Sequence, residues 1–190
     1  MKIALVQFET KIRQSLSVIS KRVIDFIEKV KKKDCRIICF PEDFWFGPLD
    51  YYPDKEIEEI VTKNFSQIIN WFCHQAKKYL INIVPGSFII KENSCYFNQA
   101  FFINKNGKIV LIHKKQKLVP FGFEGSKVTF GKNDFKVIEV ENIKIGLLIC
   151  RELFYPEFFG KLREKGAEII FIPSFWSKRS SDYQNHKLKN

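Results

Sequence analysis

The sequence lacks any apolar run that approaches the roughly 18 residues that a membrane-spanning helix needs. Residues 1–8 carry too short an apolar core for a secretory signal peptide, and their alternation of apolar and polar side chains is typical of a strand. We therefore expect no membrane segment in this chain.

Cysteine is sparse and follows no recognisable spacing: the five residues are Cys35, Cys39, Cys73, Cys95 and Cys150. An odd number of scattered cysteines fits neither a disulfide framework nor a zinc site. We therefore expect free thiols in a reducing, cytoplasmic compartment, with no metal and no other cofactor.

The chain has 190 residues, of which 45% are hydrophobic and 28% charged. These values indicate one globular domain with its own core. The net charge of +11 could favour nucleic acid, but the basic residues are spread along the chain apart from Lys31–Lys33 and Lys114–Lys117. We expect no general nucleic-acid binding, and salt-dependent binding to DNA would test that alternative.

Apolar periodicity predicts a mixture of helices and strands. Amphipathic helices are predicted over residues 12–33, 57–80 and 156–165. Strands are predicted over residues 2–8, 36–40, 81–90, 96–103, 109–113, 135–140, 143–149 and 168–172. Asn106-Gly107 marks one hairpin, and Glu141-Asn142 lies between two further strands. The pattern indicates an α/β layered fold with a partly antiparallel sheet.

Two stretches are predicted to be loops, residues 44–53 and 114–132. The first is rich in aromatic rings, which are Phe44, Trp45, Phe46, Tyr51 and Tyr52. These rings could line a pocket, or they could form a small core beneath the loop. Both interpretations stay open on the sequence.

Cys150 ends the apolar run Ile145–Ile149, and Pro156-Glu157 then reads as the first turn of a helix. A thiol between a buried strand and a helix lies where α/β sheets place ligand sites, and a helix dipole would favour its thiolate. Glu42 and Lys115 also follow apolar strands. We expect these three side chains to converge. The alternatives are a buried structural cysteine, a turn glutamate and a surface lysine.

The sequence around these residues resembles the nitrilase superfamily of carbon–nitrogen hydrolases. The resemblance covers nearly the whole chain in the family's order. It is carried by Ile3 to Gln7, Phe40-Pro41-Glu42, Lys115 to Gly122, Gly146 to Glu152, Tyr155-Pro156-Glu157 and Ile172 to Trp176. It implies a layered α-β-β-α sandwich, with residues 1–177 forming the hydrolase domain and 178–190 a polar, basic tail.

The same resemblance implies that Cys150 is the nucleophile, Glu42 the general base and Lys115 the group that stabilises the oxyanion, together with the backbone N–H after Cys150. Lys114 and Lys117 compete for the lysine role, but counting back from Leu118 to Gly122 selects Lys115. The implied activity is hydrolysis of a non-peptide C–N bond. A small amide is the first choice of substrate, and nitriles and carbamoyl amides are alternatives.

Two further residues are candidates for supporting roles. Glu124 matches the family's second glutamate when the alignment shifts by one residue at Phe123, and the alternative is a solvated loop carboxylate. Arg151 stands where the family usually has an aromatic residue. Its guanidinium could bind a substrate carboxylate or point outward.

Family domains continue well beyond the strand at residues 168–172, so we expect this domain to be incomplete at its C-terminus. A truncated reading frame, a fragment and a split gene are the alternatives. We expect association as a homo-oligomer or with a complementary C-terminal chain, and exposed apolar surface on Phe171, Phe175 and Trp176. The alternative functions are an inactive scaffold subunit and a relative of the N-acyltransferase branch.

Overall fold

The structure is a computed structural model that describes residues 1–132 and 134–176. Within these ranges the α-helices are α1 (Leu16–Lys31), α2 (Asp54–Glu59), α3 (Phe65–Tyr79), α4 (Gly122–Lys127) and α5 (Pro156–Glu164). The strands are β1 (Ile3–Leu5), β2 (Ile37–Cys39), β3 (Asn82–Val84), β4 (Ser87–Glu92), β5 (Cys95–Ile103), β6 (Ile109–Lys114), β7 (Val137–Val140), β8 (Ile143–Leu147) and β9 (Ile169–Phe171). Single 3₁₀ turns occur at Leu49–Tyr51 and Cys150–Phe154, and a π turn at Ile60–Asn64 joins α2 to α3.

The larger sheet has six strands and mixes parallel and antiparallel pairs. β1, β2 and β3 are parallel, whereas β5 runs antiparallel to β3, β4 and β6. Ala100 of β5 pairs with Ser87 of β4 and with His113 of β6, so β4 and β6 lie on opposite edges of β5. The predicted hairpin between β5 and β6 is confirmed.

The smaller sheet has three strands in the order β7-β8-β9. β7 and β8 form the predicted hairpin around Glu141 and Asn142, whose φ angles are 52° and 63°. β9 then pairs with β8 in parallel after the chain has passed through α5. This crossover brings the residues that follow β8 and β9 to the same edge of the sheet.

The two sheets pack face to face between two layers of helices. The main core lies between the larger sheet and the helices α1 and α3, with Val23, Ile38, Phe72 and Ile83 at its centre. The other face of that sheet packs on the smaller sheet through an apolar layer that includes Phe102, Leu111, Ile145 and Leu147. α5 covers the outer face of the smaller sheet through Phe158 and Leu162. The predicted layered α-β-β-α sandwich is confirmed.

Three helical segments differ from the prediction. The segment predicted as one helix over residues 57–80 begins at Asp54, and the π turn divides it into α2 and α3. α1 begins at Leu16 and not at residue 12, because the Ser15 hydroxyl accepts a hydrogen bond from Val18 N–H and caps the helix there. α4 lies inside the stretch 114–132 that was predicted to be a loop. Its sequence contains Gly122 and Gly125, which are poor helix formers, so the pattern gave no helical signal.

The aromatic residues settle two open expectations. Phe44 and Trp45 are buried in the main core, so the core interpretation is correct for them. Phe171 was expected to keep exposed surface, and this was wrong, because its ring packs on Phe102 at a centroid distance of 6.3 Å. Trp176 is 47% exposed, as expected.

The predicted tail at 178–190 lies outside the described residues. In the part of the chain that the structure describes, no helix is both long and apolar enough to cross a membrane. The same residues contain no group of three or more His, Cys, Asp or Glu side chains that could hold a metal ion.

Candidate active site

Glu42 lies in the turn that follows β2, and its carboxylate is buried with 4% of the residue exposed. Oε1 lies 2.8 Å from Lys115 Nζ and accepts a hydrogen bond of 2.9 Å from Asn98 Nδ2. Oε2 accepts from Phe175 N–H at 3.1 Å. Three donors from three different segments therefore fix this carboxylate.

Gly86 allows the β3–β4 connection to pack closely against the turn that carries Glu42. It has a φ of +90°, and a Cβ atom on it would lie 2.1 Å from the Pro41 carbonyl oxygen. Only glycine lets the β3–β4 connection pass this close to the turn. The Pro85-Gly86 interruption in the sequence thus packs against the backbone of Pro41, the residue directly before Glu42.

Lys115 follows β6 directly and is 1% exposed. Its ammonium lies between two carboxylates, 2.8 Å from Glu42 Oε1 and 2.8 Å from Glu124 Oε1. Burial alone would lower the pKa of this lysine, but the charges of Glu42 and Glu124 outweigh burial and raise the pKa above its ordinary value. Lys115 therefore carries a fixed positive charge in a water-poor site.

Glu124 enters the site from α4 and joins the same network. Besides Lys115, its carboxylate accepts hydrogen bonds of 2.9 Å from Asn98 Nδ2 and from Val119 N–H. The structure therefore brings this carboxylate together with Glu42, which the sequence left open against a solvated loop position. Its catalytic part remains a prediction.

Cys150 stands at the sharp turn between β8 and the 3₁₀ turn, with a φ of 42°. This left-handed conformation costs a residue with a side chain roughly 1–2 kcal/mol. Its N–H donates to Pro173 O at 2.9 Å, and its thiol donates to Phe175 O at 3.9 Å. Phe175 also donates to Glu42, so one residue touches both side chains.

The Cys150 thiol differs from the expected thiolate at a helix N-terminus. The 3₁₀ turn separates it from α5, which begins only at Pro156. Burial, followed by the negative charge of Glu42, raises the pKa of the thiol, and Lys115 opposes this only in part. The expectation of a dipole-stabilised thiolate was wrong. The backbone of Phe175 contacts both the Cys150 thiol and the Glu42 carboxylate, so the structure brings the thiol next to the Glu42–Lys115 pair.

Arg151 follows Cys150 in the 3₁₀ turn and is partly buried. Arg151 is thus adjacent to the nucleophile candidate in sequence and lies in the same turn. Its proposed contact with a substrate carboxylate remains a prediction.

Two residues of the site were missed on the sequence. Asn98 is buried in β5, and its amide donates to both Glu42 and Glu124. A polar side chain within an apolar strand was the available signal. Asp43 follows Glu42 with a φ of 49°, and burial together with the charges of Glu42 and Glu124 raises the pKa of its carboxyl well above the ordinary value. Nothing in the sequence separated it from an ordinary turn residue.

The arrangement has the parts that covalent catalysis at a carbonyl carbon needs. A thiol lies beside a carboxylate that can take its proton, and a buried ammonium of fixed charge lies beside both. A second carboxylate and an amide hold that pair in place. Such a site can form a thioester and stabilise a developing negative oxygen.

Comparison with known proteins gives one family model that matches, described as carbon-nitrogen hydrolase, over residues 2–188. The 2-oxoglutaramate amidase of Bacillus subtilis (strain 168) is 28% identical over 82% of this chain and 58% of its own length. A protein described as a hydrolase in the agr operon of Staphylococcus lugdunensis is 30% identical over 80% and 64%. The chain thus spans about three fifths of the length of these relatives.

Solved structures match the fold over nearly the whole chain. An amidase from Nesterenkonia sp. superposes with a TM-score of 0.82 at 18% sequence identity, covering 96% of this chain and 68% of that one. At this sequence identity the match is evidence for the fold alone. It agrees with the layer order α-β-β-α that the sheets and helices form here.

Proposed function

This chain belongs to the carbon-nitrogen hydrolase family, and on that premise we propose that it hydrolyses the C–N bond of a small amide through a thioester on Cys150. The observation that carries the proposal is the buried Glu42–Lys115 pair, with 2.8 Å between Oε1 and Nζ, acting on the Cys150 thiol. Nitriles and carbamoyl amides are the alternative substrates.

In the first half-reaction Glu42 takes the proton from Cys150 as the sulfur attacks the amide carbon. The carbonyl oxygen becomes negative, and the ammonium of Lys115 stabilises it. Glu42 then passes its proton to the nitrogen as the C–N bond breaks, and ammonia or an amine leaves. The raised pKa of Cys150 supports this order, because the thiol keeps its proton until Glu42 removes it.

In the second half-reaction Glu42 takes a proton from water, and the hydroxide attacks the thioester carbon. The C–S bond breaks, the acid product forms and the proton returns to sulfur. We assign to Glu124 the task of orienting Lys115, since its carboxylate pairs with the same ammonium as Glu42, with 2.8 Å between Glu124 Oε1 and Nζ.

We further propose that the substrate carries a carboxylate that Arg151 binds. The partly buried position of Arg151 beside Cys150 supports this, because a guanidinium there can hold a carboxylate with two parallel hydrogen bonds. The substrate named for the Bacillus subtilis relative, 2-oxoglutaramate, is consistent with it.

The test is the mass of the intact protein after incubation with a panel of small amides and nitriles, together with release of ammonia. We expect an acyl adduct on Cys150, turnover of at least one amide, and loss of both in Cys150→Ala. Cys95→Ser is the matched control, because the Cys95 thiol is exposed. Turnover that survives in Cys150→Ala, or no adduct with any compound, refutes the proposal.

Acrylamide supplies a second probe that needs no turnover. It has added to the active-site cysteine of a variant of the Nesterenkonia sp. AN1 amidase. Here the thiol of Cys150 would add across its double bond, with the thiol proton ending on carbon. We expect Cys150 to react faster than the other four cysteines, and Cys95 or Cys73 reacting first would contradict an activated nucleophile.

A further inference from the structure

Glu152 has a completely buried carboxylate that the proposed chemistry does not use. Oε2 accepts a hydrogen bond from Ile149 N–H and lies next to His113 Nε2, both at 2.7 Å. Oε1 accepts from Gln116 N–H, also at 2.7 Å. The backbone N–H groups of Ile149 and Gln116 therefore hold one carboxylate oxygen each.

These contacts share one property: each lies next to a residue of the site. Gln116 directly follows Lys115 along the chain, and His113 precedes it by two residues. Ile149 directly precedes Cys150. One carboxylate therefore connects the end of β6, in the six-stranded sheet, to the end of β8, in the three-stranded sheet.

Glu152 also closes the turn that gives Cys150 its left-handed backbone. Its own N–H donates to Ile149 O at 3.0 Å, while its side chain accepts from Ile149 N–H. The turn is therefore locked in both directions around Cys150, whose φ is 42°. Without the side-chain acceptor, the strained turn would be free to relax toward an ordinary conformation.

We propose that Glu152 is a positioning residue that sets the separation between the Cys150 thiol and the Lys115 ammonium. The inference rests on the proposed function, in which both groups act on one carbonyl. A carboxylate suits this task because both of its oxygens accept hydrogen bonds. A glutamine would present an NH₂ group to at least one N–H donor and push one of the two segments away.

The test is Glu152→Gln, with Glu92→Gln as the matched control. The Glu92 side chain of β4 contacts Gln99 of β5 and Lys114 of β6, so it also links strands. It touches neither Cys150 nor Lys115. For Glu152→Gln we expect kcat to fall by about 100-fold with KM within about threefold of the parent, because displacement of reacting groups by about 1 Å costs about that much. Glu92→Gln is expected to keep both constants.

The rate of acrylamide labelling of Cys150, divided by that of Cys95 in the same sample, gives a readout that does not need amide turnover. We expect this ratio to fall at least about tenfold in Glu152→Gln, since the thiol loses its placement against Lys115 and Glu42. A ratio within about threefold of the parent, or an equal fall in Glu92→Gln, overturns the positioning role. A parent that labels at Cys150 but turns over no amide refutes the proposed function alone.

Discussion

Lys115 and Glu42 form an ion pair, 2.8 Å from Nζ to Oε1, in which both side chains are almost completely buried. Glu124 holds the same ammonium from a second direction at 2.8 Å. The cluster thus places one cation between two carboxylates in a site with little water. Removing the cation would leave two negative charges without compensation, which is far more costly than losing a pair at the surface.

Lys115→Met should therefore destabilise the protein by about 3–5 kcal/mol and abolish turnover. Lys114→Met is the control, because Lys114 is half-buried, pairs with Glu92 and should cost about 1 kcal/mol or less. Urea unfolding at neutral pH provides the measurement. A Lys115→Met protein that loses no more stability than Lys114→Met would contradict the buried-charge account.

Asn98 is expected to matter because it shares its amide between Glu42 and Glu124. Asn98→Leu removes hydrogen bonds to charged groups, each with a net contribution of about 1.5–3 kcal/mol. Asn98→Asp should destabilise the protein more, because it adds a third negative charge at the same point. Thermal unfolding of both variants checks the order, and an Asn98→Asp protein as stable as the parent would exclude it.

Gly86→Ala should destabilise the protein and displace Glu42. The new Cβ would lie 2.1 Å from the Pro41 carbonyl oxygen, and a φ of +90° adds strain of about 1–3 kcal/mol. Gly160→Ala is the opposite case, because a Cβ there meets nothing within 4 Å and α5 gains about 0.5–1 kcal/mol of helix propensity. Unfolding curves of both variants should move in opposite directions.

Arg151→Gln tests the proposed substrate carboxylate. Turnover of an amide that carries a carboxylate is compared with turnover of its neutral analogue. The variant should raise KM for the charged amide by about tenfold to 100-fold, because a charge-assisted hydrogen bond contributes about 1.5–3 kcal/mol. The neutral analogue should be unaffected. Equal effects on both compounds would show that Arg151 does not read the carboxylate.

The buried thiol of Cys39 should make the protein less stable to unfolding at alkaline pH. Burial raises the pKa of its thiol from the ordinary value of 9.0 to about 12. Between these values the unfolded chain has lost the proton and the folded chain keeps it, so stability falls as the pH rises. At about 1.4 kcal/mol for each pH unit, the contribution lost between pH 9 and pH 12 is about 4 kcal/mol.

Chemical unfolding of Cys39→Val across this pH range measures that contribution. The variant should lose less stability than the parent because it has no thiol to titrate. Cys95→Ser should follow the parent curve, since Cys95 is exposed. A Cys39→Val curve parallel to that of the parent would rule out the buried thiol as a cause.

The sequence was most informative where a single local pattern decides the structure. Alternation and hairpin residues predicted β5 to β8, and Pro156 marked the start of α5. The prediction that Glu42, Lys115 and Cys150 meet used their positions just past strand ends together with the resemblance to the nitrilase superfamily. Local chemistry alone decides the hairpins and the start of α5.

The remaining features depend on which loops meet in the folded protein. Nothing in the sequence distinguishes Glu152 from a surface glutamate. It is buried only because β6 and β8 come together in the folded protein. The raised pKa of Cys150 likewise comes from burial and from Glu42, more than 100 residues earlier in the chain. α4 was missed because Gly122 and Gly125 are poor helix formers and none of its residues is fully buried, so no apolar periodicity marks it.

Glu42 and Lys115 follow strands of the six-stranded sheet, whereas Cys150 follows a strand of the three-stranded sheet. Each sheet keeps its own backbone hydrogen bonds if the two slide apart, but the nucleophile then loses its base and its cation together. The reactivity of the Cys150 thiol therefore reports on the packing of the two sheets against each other. Under rising pressure or denaturant, this reactivity should be lost before the circular dichroism signal of the strands is lost.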